Sequence, residues 1–277
     1  MVEAKSLGLE EVFEEAKRRI LDKEKGVLAI LVFGSACRGE DFVPGLSDVD
    51  LLVVLAQMAE RREELENIGG FRVSTIFLGR EKLGELSNLG DPLAHWVEKD
   101  SKTIYCLDPE VSAWLGSLKP GVTQHTLKVF RWSSIAAYGI STNHYLLGDP
   151  IRVVHHLYHS LRHGVRYKTA KLFGEIPVSN DEIVFAMDKL GFNPKNFREL
   201  VEQRRNRRVS LLDADSLMEQ VSVGLGAILD LELPSWEEVK PIFKGLKGGH
   251  VSYRIEGEKV RVTTSHPLRS TPIQRVS

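Results

Sequence analysis

The chain has 277 residues, 42% hydrophobic and 27% charged, which suits a soluble protein with a real core and about two domains. Lys and Arg number 37 against 38 Asp and Glu, a net charge of −1 that argues against a wholesale polyanion binder, yet residues 1–119 hold 15 basic and 22 acidic side chains while residues 120–277 hold 22 and 16. No apolar stretch approaches the ~20 residues that span a bilayer, no secretory signal opens the chain, and Cys37 and Cys106 form no CxxC pattern; a membrane-spanning protein, a disulfide scaffold and a structural zinc site drop out, and a reducing cytoplasm is the expected compartment.

The first element is an amphipathic helix over residues 9–23, with Leu9, Val12, Phe13, Ala16 and Ile20 on one stripe. Residues 27–33 are a continuous apolar run of strand length, suited to burial on both faces, and end in Gly34-Ser35. After a polar Gly- and Pro-bearing stretch at 38–47, the pattern predicts a strand over 49–55, a helix over 57–67, a strand over 71–78 and a fourth over 102–107. This alternation makes an α/β unit with a mixed sheet over residues 1–118.

From Thr123 the pattern turns helical, with segments at 123–146, 151–173, 181–190, 196–207 and 213–231, broken by Gly148-Asp149-Pro150, Gly174 and Pro234. An all-α bundle is expected over residues 119–234. In the tail, 235–277, two β-rich runs at 251–255 and 260–263 flank Glu256-Gly257-Glu258 and predict a hairpin.

Chemistry concentrates where the first strand ends. Gly34-Ser35 is followed, after twelve residues, by Asp48-Val49-Asp50. Glycine lets a ligand approach the main chain and the serine hydroxyl adds a donor, a combination that favours phosphate oxygens. Strand alternation puts Asp48 and Asp50 on one face with Val49 turned to the core. Two carboxylates side by side repel unless a cation lies between them, and Mg²⁺ does this while bridging substrate phosphates.

An apolar strand, Gly34-Ser35 and then Asp48-Val49-Asp50 together resemble the signature of the polymerase-β-like nucleotidyltransferase superfamily. The likeness spans about residues 27–55 by motif, and the rear half is similar in layout to the helical domains of minimal members, the HEPN-like and kanamycin-nucleotidyltransferase types. The resemblance implies transfer of a nucleoside monophosphate from a nucleoside triphosphate, ATP being expected, to a hydroxyl on a protein, an RNA or a small molecule, with release of pyrophosphate. It implies that Gly34 and Ser35 hold phosphates and that Asp48 and Asp50 are catalytic and hold Mg²⁺, two ions in an active enzyme. Arg38 is a further candidate phosphate contact.

Active members carry a third carboxylate on a following strand. Here that strand, 71–77, holds no Asp or Glu; Ser74 aligns to the acid's place with Arg72 beside it on the same face, and Glu81 and Asp91 are the nearby loop alternatives. Serine is a poor metal ligand and no base near neutral pH. A catalytically impaired nucleotide-binding regulator, or an interaction protein of toxin–antitoxin type, is therefore the alternative function.

In the rear half, Arg162 and Arg166 stand one turn apart and are candidate contacts for triphosphate, and His155, His159 and His163 share a helix face that reads as a solvated or acceptor-facing stripe. The basic run at 204–208 suits an RNA or acidic protein contact, or simply a helix C-terminus. A homo-oligomer is compatible with the hairpin tail, and no membrane partner is expected.

Overall fold

The computed structural model describes residues 7–57, 60–245 and 249–265. They form a mixed five-stranded sheet with helices, then a helical region and a two-stranded antiparallel sheet. The chain divides into two compact units between Thr126 and Leu127.

In the first unit, helix α1 (Leu9–Lys23) begins where Glu11 reaches back to the Gly8 amide at 2.7 Å. Strands β1 (Val27–Phe33), β2 (Val49–Leu55), β3 (Arg62–Ile68), β4 (Phe71–Gly79) and β5 (Ser101–Cys106) assemble in the order β3-β4-β2-β1-β5. The β2–β4 pair is parallel and the other pairs are antiparallel. Val12, Phe13, Ala16 and Ile20 of α1 pack on one face, against Ile30, Val32, Leu51, Val53 and Phe77. The other face buries Ala29, Leu31, Leu52, Val54 and Leu78 under α2 (Arg80–Leu89), α3 (Pro92–Lys99) and α4 (Pro109–Ser117). Both faces of the central strands are thus covered, as their unbroken apolar runs require.

One expectation is overturned. Residues 62–68 form the edge strand β3 in place of a helix; Met58 and Ala59 lie outside the described residues. The Glu and Arg content favours a helix locally, but the charges alternate with period two. Arg62, Glu64 and Glu66 turn to α1, where Glu24, Lys23 and Arg19 pair with them, and the Arg62 guanidinium lies 4.0 Å over the Phe77 ring. A charged edge also blunts unwanted strand pairing.

The second unit holds α5 (Gln124–Leu146), α6 (Pro150–Phe173), α7 (Asn180–Lys189), α8 (Lys195–Asn206), α9 (Leu211–Leu229) and the short α10 (Trp236–Val239). Asp149 caps α6 ahead of Pro150, and Gly174 ends it in the left-handed conformation at φ 68°. Ser134 and Ser160 exchange hydrogen bonds at 2.7 and 2.8 Å, which brings α5 and α6 close, and a Cβ on Gly164 would meet Leu225 at 3.1 Å. The hairpin of β6 (His250–Glu256) and β7 (Lys259–Ser265) docks on α5: Asn143 bonds the Val251 backbone both ways at 2.8 Å, and Tyr253 stacks edge-on to Tyr138.

Candidate active site

The apolar run of β1 stops at Phe33, where Gly34 takes φ 75°, a left-handed conformation that disfavours a side chain, and starts a 3-10 turn. The Gly34 amide donates to the Asp100 carbonyl at 3.2 Å, so its N–H is already satisfied. What the turn presents instead is room, because Gly34 has no Cβ, and the Ser35 hydroxyl, which has no partner among the described residues. A Cβ on Gly34 would lie 3.3 Å from Asp50 Oδ2, which places the turn directly against that carboxylate.

Arg38 secures the turn from behind. Its Nε donates to Asp41 at 2.9 Å and its Nη1 to Asp100, which are 2% and 6% exposed in their side chains. One guanidinium thereby ties the 3-10 loop to the end of α3, and the same Asp100 holds the Gly34 amide through its carbonyl. Arg38 is committed to this clamp. The Ser47 hydroxyl accepts from the Val43 amide at 3.0 Å and closes the loop that delivers the chain into β2.

Asp50 opens β2 opposite Phe33 of β1 and alongside Ser74 of β4. The same parallel register sets Val49 against Val73, which leaves Asp48 beside Arg72. Arg72 and Asp48 form an ion pair, with Arg72 Nε 3.2 Å from Asp48 Oδ2. The acids share a face with Leu52 and Val54, beyond the part that carries the second core cluster. Burial, reinforced by the Asp48 charge and partly offset by Arg72, pushes the Asp50 carboxyl up to about 7. Burial also raises Asp48, against the pull of Arg72. Two half-buried acids with so little compensation make a poor resting arrangement and a good cation seat.

Among the described residues the surrounding elements bring no third acid. Glu64 and Glu66 of β3 face α1, and Leu65 is the residue beside Ser74. Glu81 follows Gly79, about 16 Å along β4 from Ser74. Asp91 caps α3 and its carboxylate accepts from His125 Nε2 at 2.9 Å. Among the described residues no three His, Cys, Asp or Glu side chains converge as a metal cage. Two carboxylates beside a phosphate seat do fit a single Mg²⁺, which is commonly held by one or two carboxylates plus substrate oxygens.

Residues 13–95 match the family model described as the nucleotidyltransferase domain. Over that span the N-terminal unit is similar to nucleotidyltransferase domains. A nucleotidyltransferase-like protein from Exiguobacterium sibiricum 255-15 is 18% identical, over 94% of this chain and 100% of that one, with a TM-score of 0.33. No curated protein matches the chain. The matched span contains Gly34, Ser35, Asp48, Asp50, Arg72 and Ser74, the residues that the fold of the N-terminal unit brings to one place.

Arg162 and Arg166 belong to the helical unit and are 5% and 6% exposed. Arg162 donates to the Tyr158 hydroxyl at 2.6 Å and to the Val178 carbonyl; Arg166 donates to Pro177 and Val178 carbonyls at 2.9 and 3.2 Å. They clamp the loop between α6 and α7. The histidines are not a solvated stripe either. His155 accepts from Arg204 Nε at 3.1 Å, His156 stacks on His144, and His155, His159 and His163 follow one another ring to ring. Burial, then neighbouring cations, lowers His155 and His163 to about 3 and His156 to about 4, and lowers His159 as well. Sequence reasoning missed Asp41 and Asp100; Asp41 stands at i+3 from Arg38, but nothing local marks Asp100.

Proposed function

We propose that the N-terminal unit binds a nucleoside triphosphate, ATP being the expected one, with Mg²⁺ and transfers its nucleotidyl group to a hydroxyl acceptor. The observation that supports this is the juxtaposition of Gly34, which has no side chain, with Asp50, a carboxylate that makes no salt bridge among the described residues. Asp48 and Asp50 would hold the metal, which when bound neutralises charge on the phosphates. Gly34 admits the phosphate chain to the main chain, and Ser35 donates its hydroxyl to it. Arg38 acts through Asp100, keeping the turn in place before substrate arrives, so that catalysis is positioning plus electrostatics. The acceptor oxygen forms the new bond to the α-phosphorus; the bond from that phosphorus to the bridging oxygen breaks, pyrophosphate leaves with the electron pair, and the hydroxyl proton passes to solvent. Arg162 and Arg166 are assigned to the helical unit's own packing.

Ser74, standing where an acid would serve, favours a second function: a nucleotide-binding regulator without transfer. Calorimetry with ATP, with and without Mg²⁺, tests the shared step. Metal-dependent binding lost in Asp48→Asn and Asp50→Asn supports the site; binding that ignores both substitutions overturns it. Label from α-labelled ATP reaching protein, RNA or a small molecule, with pyrophosphate released, supports transfer. Binding without either selects the regulator.

A further inference from the structure

We propose that Arg72 takes the place of a second metal ion, so that the site works with one divalent cation and one guanidinium. The inference rests on the nucleotide-binding function above and refines it.

Three features of the β2–β4 pair lead there. Adjacent strands lie about 4.8 Å apart, and the parallel register sets Asp50 beside Ser74 and Asp48 beside Arg72. With Arg72 alongside, Asp48, Asp50 and Arg72 sum to −1 when both acids are ionised; a carboxylate in place of Ser74 would bring the cluster to −2, and to −3 without the arginine. One divalent cation over-neutralises a charge of −1, and a second would meet net repulsion before any phosphate is bound. Two carboxylates also leave two octahedral shells short of protein ligands, whereas one Mg²⁺ takes one or two carboxylates and fills the rest with water and phosphate.

Arg72 is also placed to act. Its side chain is 60% exposed and pairs with Asp48 through charge, the closest approach being Nε to Oδ2 at 3.2 Å. The guanidinium makes no hydrogen bond among the described residues. Alternation along β4 puts Arg72 on the same face as Ser74, the face that carries Asp50, so the guanidinium belongs to that end of the sheet. A planar fork matches two non-bridging phosphate oxygens, which an ammonium cannot do. The Ser74 hydroxyl, unpartnered among the described residues, supplies a neutral donor where an anionic oxygen would repel the triphosphate.

The test counts metal ions on the full chain. Mn²⁺ is titrated against the protein with an α,β-methylene ATP analogue and followed by electron paramagnetic resonance, while calorimetry follows the analogue. The expected result is one Mn²⁺ per chain in the wild type and two in Arg72→Ser/Ser74→Asp. Arg72→Ala weakens the analogue roughly tenfold to a hundredfold, the loss expected for charge-assisted hydrogen bonds; Arg72→Lys restores part of it and Arg72→Gln none. Because Arg72 is exposed, an unchanged melting temperature is expected and separates these effects from misfolding. Two Mn²⁺ in the wild type, or an Arg72→Ala variant that binds as tightly as wild type, overturns the role of Arg72 while leaving nucleotide binding intact. No analogue binding by the wild type refutes the underlying function as well.

Discussion

Gly34→Ala separates what the glycine does for the backbone from what it does for the site. Gly34 has φ 75°, and forcing alanine into the left-handed region costs about 1–2 kcal/mol. In a unit of this size that lowers Tm by roughly 3–8 °C. The new methyl would also stand 3.3 Å from Asp50 Oδ2, so the carboxylate must yield by a few tenths of an ångström. Such a displacement at a metal-holding oxygen is expected to weaken Mg²⁺-dependent ATP binding by at least about tenfold, since small misplacements at a positioned group are amplified. Gly26→Ala is the control. Its φ is 71° and its added Cβ meets Ala56 Cβ at an ordinary 3.7 Å, at the far end of β1, about 26 Å away. The two variants should therefore melt alike, by calorimetric scan, and differ in ATP affinity by titration. If Gly34→Ala binds ATP like wild type, or Gly26→Ala loses as much affinity, the close approach of Gly34 to Asp50 has no functional meaning.

Arg38→Ala removes the cation between two buried acids and should destabilise the N-terminal unit by about 3 kcal/mol, measured by urea unfolding; a midpoint near wild type would refute the clamp. Arg166→Ala takes the guanidinium donor from the Pro177 carbonyl and leaves Val178 with Arg162, and should lower the helical unit's stability by about 2 kcal/mol while ATP affinity stays unchanged; a selective loss of ATP binding would return Arg166 to the nucleotide. The half-buried histidines predict acid sensitivity of α6. Between pH 6.5 and about 4 the unfolded chain binds protons that folded His155, His156, His159 and His163 refuse, beside Arg152, Arg162, Arg166 and Arg204, so stability falls as pH falls. Hydrogen exchange of α6 amides at pH 7, 6 and 5, corrected for intrinsic rates, should show protection decreasing toward acid; constant or rising protection would refute it. Asp50 has the opposite sign in the first unit, because a folded carboxyl at about 7 takes up its proton before the unfolded one and favours the fold as pH drops.

The phosphate-and-acid motif was legible because it is local. An unbroken apolar run has to become a covered strand, a Gly-Ser at its end has to turn, and alternation along the next strand has to put Asp48 and Asp50 on one face. The major helices of the rear unit were legible for the same reason, through their stripes and the stops at Gly174 and Pro234. Local propensity misled over residues 62–68, where charges that suit a helix became the paired face of an edge strand because α1 presents the complementary ions. Arg162 and Arg166 carry no local mark of burial, and only the packing of the loop at 174–179 shows that their charge is turned inward. Arg38 and Asp100 are 62 residues apart, and Asp48 meets Arg72 through a parallel pairing across the intervening β3. Sequence determines which strands and acids exist; which strands become neighbours, and hence which cation stands beside which acid, is decided by sheet register, a property of the whole unit.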